Sequence, residues 1–303
     1  MRIPVLLAAL LALPACTAPG LLDLSDSLAG GGRESGARRV VASAAYGPDR
    51  RQALEVWAPA GASPARARPV LVFFYGGAWV EGARRDYQFA AKAYADKGFV
   101  VVLPDYRLAP RHGYPAFVQD GAGALRWTRD NIARFGGDPA RVAVAGHSAG
   151  AYIAAMLALE PKFLAGAGVG PGFVKAAATL AGPFDFYPFT APRARVAFDY
   201  SGAGPESQPV NLASRDDPPI WIATGTNDTI VSPSQSVKLA AALRAAGAPH
   251  ELKLYQGADH DDLVLGISKS YRMRTSVLAD SVRFLSDRLA LPPAPAAPTS
   301  AGE

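Results

Sequence analysis

The chain has 303 residues, of which 50% are hydrophobic and 19% charged, with 30 glycines, 26 prolines and a formal net charge of +5. This composition excludes a disordered chain, a collagen and a polytopic membrane protein, and predicts a globular fold with a full core. One cysteine and four histidines exclude an internal disulfide framework and any cysteine-cluster metal site. The basic excess is carried by arginine, part of it near the start at Arg33, Arg38, Arg39, Arg50 and Arg51. Glu34 and Asp49 interrupt that run and no aromatic residues interleave it, so it reads as a solvated surface and not as a nucleic-acid site.

In chain order, the first segment is 1–16: Met-Arg, an apolar run from Ile3 to Leu13, then Pro14-Ala15-Cys16. The run is too short to cross a bilayer, which needs about 20 residues, and has the form of a secretory signal. Leu13-Pro14-Ala15-Cys16 resembles a bacterial lipobox, so Cys16 is the expected lipidation site. A protein exported to the bacterial cell envelope is expected, either anchored to a membrane through lipidated Cys16 or released as a periplasmic or secreted protein. Residues 17–39, with Gly30-Gly31-Gly32, read as a flexible spacer, and 291–303 as a disordered Pro/Ala tail. One domain, 40–290, remains.

Within that domain, 40–46 and 53–58 read as an antiparallel hairpin. Apolar runs bounded by Gly, Pro or Asp then predict buried strands at 70–75, 99–103, 142–145, 176–180, 220–224 and 251–255. Helical segments are predicted at 86–97, ended by Gly98; at 117–135, ended by Gly136-Gly137; at 149–159; at 233–246, after Ser232 as N-cap and before Gly247; and at 270–289. This alternation predicts an α/β fold: a mostly parallel central sheet with helices on both faces. Ligands in such sheets bind at the carboxyl ends of the strands, so the chemistry is expected in the loops that follow the apolar runs.

Three of those loops carry it. Gly146-His147-Ser148-Ala149-Gly150 lies between a strand and a helix, the context that confirms a G-x-S-x-G turn with an exposed serine nucleophile. Tyr75-Gly76-Gly77-Ala78-Trp79 comes straight after the run Val70–Phe74. Its small residues let backbone N–H groups approach a substrate, so Gly77, Ala78 and Ala149 are candidate oxyanion donors. His260 follows the last strand and is the one histidine placed to act as base, since His112 and His250 follow no strand end and His147 is inside the turn with its side chain expected to point away. Asp228, after the 220–224 strand, is the candidate that orients the imidazole. Asp259, Asp261 and Asp262 compete for that role, although residues adjoining a histidine rarely meet its ring correctly. Ser148, Asp228 and His260 stand in the chain order of α/β-hydrolases. Between 181 and 218 an irregular stretch holds Phe184, Phe186, Tyr187, Phe189, Phe198 and Tyr200. It reads as a short lid insertion or as ordinary packing, with Trp79, Tyr75, Phe184 and Tyr187 as candidate pocket residues.

With these motifs, Asp105-Tyr106-Arg107-Leu108-Ala109-Pro110, Tyr114-Pro115-Ala116, Asp120 and Phe135-Gly136-Gly137-Asp138-Pro139, the chain resembles the α/β-hydrolase superfamily, specifically the carboxylesterase branch related to hormone-sensitive lipase. The match covers about 70–290. Tyr75 stands where that branch usually has His, and the Tyr-Gly-Gly-Ala-Trp version is closer to prenylcysteine-methylesterase-like esterases. The resemblance implies a serine carboxylesterase acting on small or medium esters, without metal or cofactor, and structural roles for Asp105 and Asp120. An amidase, arylformamidase or peptidase on the same three residues stays open, as does a binding module that has lost catalysis. The sequence leaves the oligomeric state undetermined.

Overall fold

The computed structural model describes residues 36–290. The 1–16 leader, Cys16, most of the spacer and the 291–303 tail lie outside the described residues. The opening hairpin forms as expected, from β1 (Arg38–Ala45) and β2 (Ala53–Ala58). The remaining strands are β3 (Arg68–Phe74), β4 (Val100–Pro104), β5 (Gly137–His147), β6 (Val174–Leu180), β7 (Ile220–Gly225) and β8 (His250–Tyr255). The helices are α1 (Gln88–Asp96), α2 (Ala116–Asn131), α3 (Ala149–Leu159), α4 (Pro161–Gly166), α5 (Pro192–Phe198), α6 (Ser234–Ala246), α7 (His260–Leu265) and α8 (Val277–Leu289).

The eight strands form one sheet in the order β1-β2-β4-β3-β5-β6-β7-β8. The pairs β1–β2 and β2–β4 are antiparallel and every later pair is parallel. Parallel strands covered on both faces must be apolar throughout, because neither side of the pleat meets water. Accordingly β4 and β7 are buried at every position, as is β3 from Val70 to Phe74, while edge strand β1 is mostly exposed. Two groups of helices pack together. One joins α1 to α8, with Tyr94 and Ser281 hydroxyls 2.8 Å apart; the other packs α2 against α3 and α4.

Two predicted segments differ in form. The 270–289 segment is helical only from Val277, because its buried stripe (Val277, Leu278, Ser281, Phe284, Leu285, Leu289) starts there, while Met273 is 93% exposed. The 181–218 stretch contains α5 and three short 3-10 turns, and is tied to the body by Tyr114 N–H to Ala197 O (2.8 Å) and Tyr152 O–H to Ser207 O (2.7 Å). Among the described residues no helix is long and apolar enough to cross a membrane.

Candidate active site

Ser148 sits between β5 and α3, at the centre of the sheet. Its backbone has φ 54° and ψ −120°, a region that a residue with a Cβ adopts only where the surroundings enforce it. Two glycines enforce it here. A Cβ on Gly146 would lie 2.3 Å from the carbonyl carbon of Gly150, and one on Gly150 would lie 2.1 Å from Phe74 O. The turn therefore folds back on its own strand and on β3 with no room for a side chain at either position. Ser148 N–H donates to Leu180 O at 2.8 Å, which fixes the turn against the end of β6. Ser148 itself is half-buried.

Asp228 and His260 come together from the ends of β7 and β8. His260 Nδ1 lies 2.8 Å from Asp228 Oδ2, and both residues are buried. The other carboxylate oxygen, Oδ1, accepts N–H groups from Ile230 (2.9 Å) and Val231 (2.8 Å), so the carboxylate is held from both sides. With Nδ1 bound to the carboxylate, Nε2 is the nitrogen left to work on a proton. The two loops are also joined by Asn227 N–H to Ala258 O (2.9 Å) and Gly257 N–H to Thr226 Oγ1 (2.8 Å).

The competing carboxylates Asp259 and Asp262 have other work. His260 opens α7, and Asp259 caps that helix. Asp262 N–H donates to Asp259 Oδ1 at 2.8 Å, and Asp259 N–H donates back to Asp262 Oδ2 at 3.2 Å, a reciprocal capping box. Asp262 also pairs with Arg274. The imidazole is bonded to Asp228, the carboxylate 32 residues away.

Gly77, Ala78 and Trp79 form a loop with three successive positive φ angles, 126°, 50° and 62°. Two non-glycine residues in that region cost about 1–3 kcal/mol each and persist only where neighbours over-determine them. Here Gly77 O accepts N–H groups from Val80 and Glu81, both at 3.1 Å, and Trp79 O accepts Ala109 N–H at 2.9 Å. The N–H groups of Gly77 and Ala78 donate to no carbonyl among the described residues. Ala149 is the first residue of α3, so its N–H has no partner one turn earlier in the helix. The backbone thus presents donors, on two different loops, of the kind an oxyanion needs.

The four candidate pocket residues separate. Trp79 is 3% exposed and lies in a box of rings: Phe117 (5.7 Å between centroids), Phe186 (5.7 Å), Tyr152 (5.3 Å, edge-on) and Phe198 (4.9 Å, edge-on). Tyr75 is not a pocket residue. It is fully buried, stacked on Tyr106 at 4.3 Å, and its hydroxyl accepts from Arg51 Nη2 at 2.7 Å. Burial raises its pKa above the usual tyrosine value. Phe184 is not one either: it is fully buried, and its backbone N–H is held by Gln235 Oε1 at 2.9 Å. Tyr187 is 45% exposed and meets Phe189 edge-on, at the surface. The rings that do surround Trp79 include Phe117 and Tyr152, from α2 and α3. Sequence reading missed both because each falls among the buried residues of a regular helix. Asp120 accepts from Arg107 and from Gln52, and Asp105 from Arg84, which gives both carboxylates structural partners.

The x residue of the turn, His147, is 1% exposed and does not face solvent. Its Nδ1 lies 2.9 Å from Tyr87 Oη and its Nε2 lies 3.2 Å from the backbone oxygen of His260. The two imidazole rings are 4.8 Å apart. Burial, and then the neighbouring His260, push His147 well below the ordinary histidine pKa. Among the described residues no group of three or more His, Cys, Asp or Glu side chains is placed to hold a metal ion.

This fold and this set of loops define an α/β hydrolase, and the chain belongs to the α/β hydrolase fold family, whose pattern matches residues 71–263. It is 33% identical to Esterase LipQ of Mycobacterium tuberculosis, over 67% of this chain and 52% of that protein. It is 31% identical to the isoprenylcysteine alpha-carbonyl methylesterase ICME of Arabidopsis thaliana, over 75% of this chain and 58% of that protein. The chain therefore spans between half and three fifths of the length of these curated relatives. Among solved structures it is similar to Thermogutta terrifontis esterase 2 in its apo form, with a TM-score of 0.70 and 26% identity over 86% of this chain and 98% of that one. A butyrate-bound structure of that esterase matches with a TM-score of 0.70 and 26% identity, over 82% of this chain and 94% of that one. The expected likeness to the carboxylesterase branch, including its prenylcysteine-methylesterase-like members, is borne out by these relatives.

Proposed function

We propose that the chain is a serine carboxylesterase that hydrolyses small or medium carboxylic esters through an acyl-enzyme. The observation that carries this reading is the buried 2.8 Å bond between His260 Nδ1 and Asp228, with the Ser148 turn at the same carboxyl end of the parallel strands. In this reading Ser148 Oγ attacks the ester carbonyl while His260 Nε2 takes its proton. Asp228 holds the imidazole tautomer and stabilises the cation. The tetrahedral oxyanion is met by the N–H groups of Gly77, Ala78 and Ala149. His260 then protonates the departing alcohol. Water, activated by the same imidazole, cleaves the acyl-enzyme and regenerates Ser148.

In this reading the acyl chain lies against the rings around Trp79, whose contact packing at 4.9–5.7 Å between centroids offers no open channel for a long chain. The butyrate bound to the Thermogutta esterase points to the same size. The test is a panel of p-nitrophenyl esters from acetate to palmitate. Turnover falling steeply beyond about eight carbons is expected, since each methylene without a pocket forfeits the roughly 0.8 kcal/mol that its burial contributes. Equal turnover of palmitate contradicts the size assignment. No turnover of any ester in the panel contradicts the activity.

For location, the proposal is export and lipidation at Cys16, supported by the apolar run and the lipobox-like Leu13-Pro14-Ala15-Cys16. Mass spectrometry of the mature protein from its native host is expected to find an acylated Cys16 at the N-terminus. An intact Met1 contradicts the proposal.

A further inference from the structure

The histidine beside the nucleophile is bonded at both nitrogens, and its bonds connect three separate parts of the site. A backbone carbonyl can only accept, so the contact between His147 Nε2 and His260 O (3.2 Å) places a proton on Nε2. In a neutral ring Nδ1 is then a bare acceptor, and the Tyr87 hydroxyl, 2.9 Å away, donates to it. Tyr87 is 3% exposed and wedged between Phe73 and Phe89, at 6.1 and 5.9 Å, so the donor has little freedom to turn. The result is a directed chain, Tyr87 O–H to His147 and His147 N–H to the His260 carbonyl, inside the core.

We propose that His147 is a positioning residue: it clamps the backbone of His260 so that the imidazole keeps its aim at Ser148, with Tyr87 locking the tautomer that the clamp needs. The proposal rests on the esterase reading above. Its chemistry is consistent with burial, which keeps His147 uncharged and so spares the cationic His260, 4.8 Å away, a like charge. The clamp matters because His260 opens a helix of only six residues, and a ring displaced by about an ångström at this position loses rate by as much as about 100-fold.

The test compares His147→Met, which leaves the His260 carbonyl without a donor; His147→Gln, which can restore an N–H near Nε2; and Tyr87→Phe, which frees the tautomer. Steady-state hydrolysis of p-nitrophenyl butyrate is measured together with the water-exchange rate of the His260 Nδ1 proton, read from its low-field NMR signal. The Met variant is expected to lose kcat about tenfold with KM unchanged, the Gln variant to recover most of that loss, and the Phe variant to lose kcat a few-fold. Exchange of the His260 proton is expected to speed up most in the Met variant and less in the Phe and Gln variants. The Phe variant keeps the reading available where the Met variant fails to fold. Wild-type kcat and wild-type exchange in both the Met and Phe variants overturn the proposal, as does a Gln variant no better than Met. An inactive wild-type protein overturns the esterase reading, while the exchange rates still decide the clamp.

Discussion

The Ser148 turn and the 181–218 insertion that follows β6 are specified on opposite terms. In the turn, each position is determined by what cannot fit: Gly146 and Gly150 have backbone 2.3 and 2.1 Å from where a Cβ would stand, and Ser148 is forced to φ 54°. In the insertion, Phe186, Phe189 and Phe198 pack as rings on rings at 5.0–5.6 Å, and another large apolar side chain could fill much the same volume. Geometric exclusion leaves a signature in residue identity. Bulk packing leaves one only in composition. The turn is therefore expected to tolerate almost no change, and the insertion to respond by degrees.

The largest effect is expected at Asp228, the carboxylate bonded to His260. Asp228→Asn keeps an acceptor for Ile230 and Val231 N–H but presents the wrong partner to His260 Nδ1. In comparable triads that change lowers kcat about 10⁴-fold, and a similar loss is expected here in p-nitrophenyl butyrate turnover. A loss below about tenfold would mean that another group holds the imidazole. Next is Gly150→Ala. One methyl group forced against Phe74 and Tyr75 carbonyls is expected to lower stability by about 1–3 kcal/mol or to prevent folding, as read by urea denaturation. Wild-type stability there would remove the steric half of the comparison.

Phe186→Ala tests the other half. It opens the half-buried side of the Trp79 box and is expected to shift the ratio of octanoate to butyrate hydrolysis upward by about tenfold, with stability lowered less than by Gly150→Ala. An unchanged ratio would place the acyl chain elsewhere. The smallest effect is at Asp217, at the end of the insertion. Burial raises its pKa from 3.8 to about 6, although Ser214 N–H donates to it at 2.7 Å. The fold therefore binds a proton that the unfolded chain has released. Stability falls as pH rises from about 4 to about 6, and the penalty persists above that. Asp217→Asn is expected to raise Tm by about 1–2 °C at about pH 7.5 and not at about pH 4. A gain confined to the acid condition would reverse the assigned sign.

The α/β architecture and the Asp228–His260 pairing were legible because strand ends are marked by Gly, Pro and Asp, and the chemistry follows them. The pocket was not. Tyr75 and Phe184 sit beside or near motif residues in sequence, but their rings turn into the core, and apolar residues carry no mark that separates core from pocket. Tyr187 points the other way, to the surface. The helix that begins at His260 was invisible because six residues are too few for the helical period to show. The partners of His147 were beyond reach for a different reason: Tyr87 and the His260 carbonyl lie 60 and 113 residues away in the chain, and one of them is a backbone atom that no sequence pattern encodes.

The most direct test of the central claim is labelling by a fluorophosphonate, followed by peptide mass spectrometry. One phosphonyl group on Ser148 in the native protein, and none after Asp228→Asn and His260→Ala are combined, is the expected result. Labelling of a different serine, or equal labelling of Ser148 once its imidazole and carboxylate are gone, would contradict it.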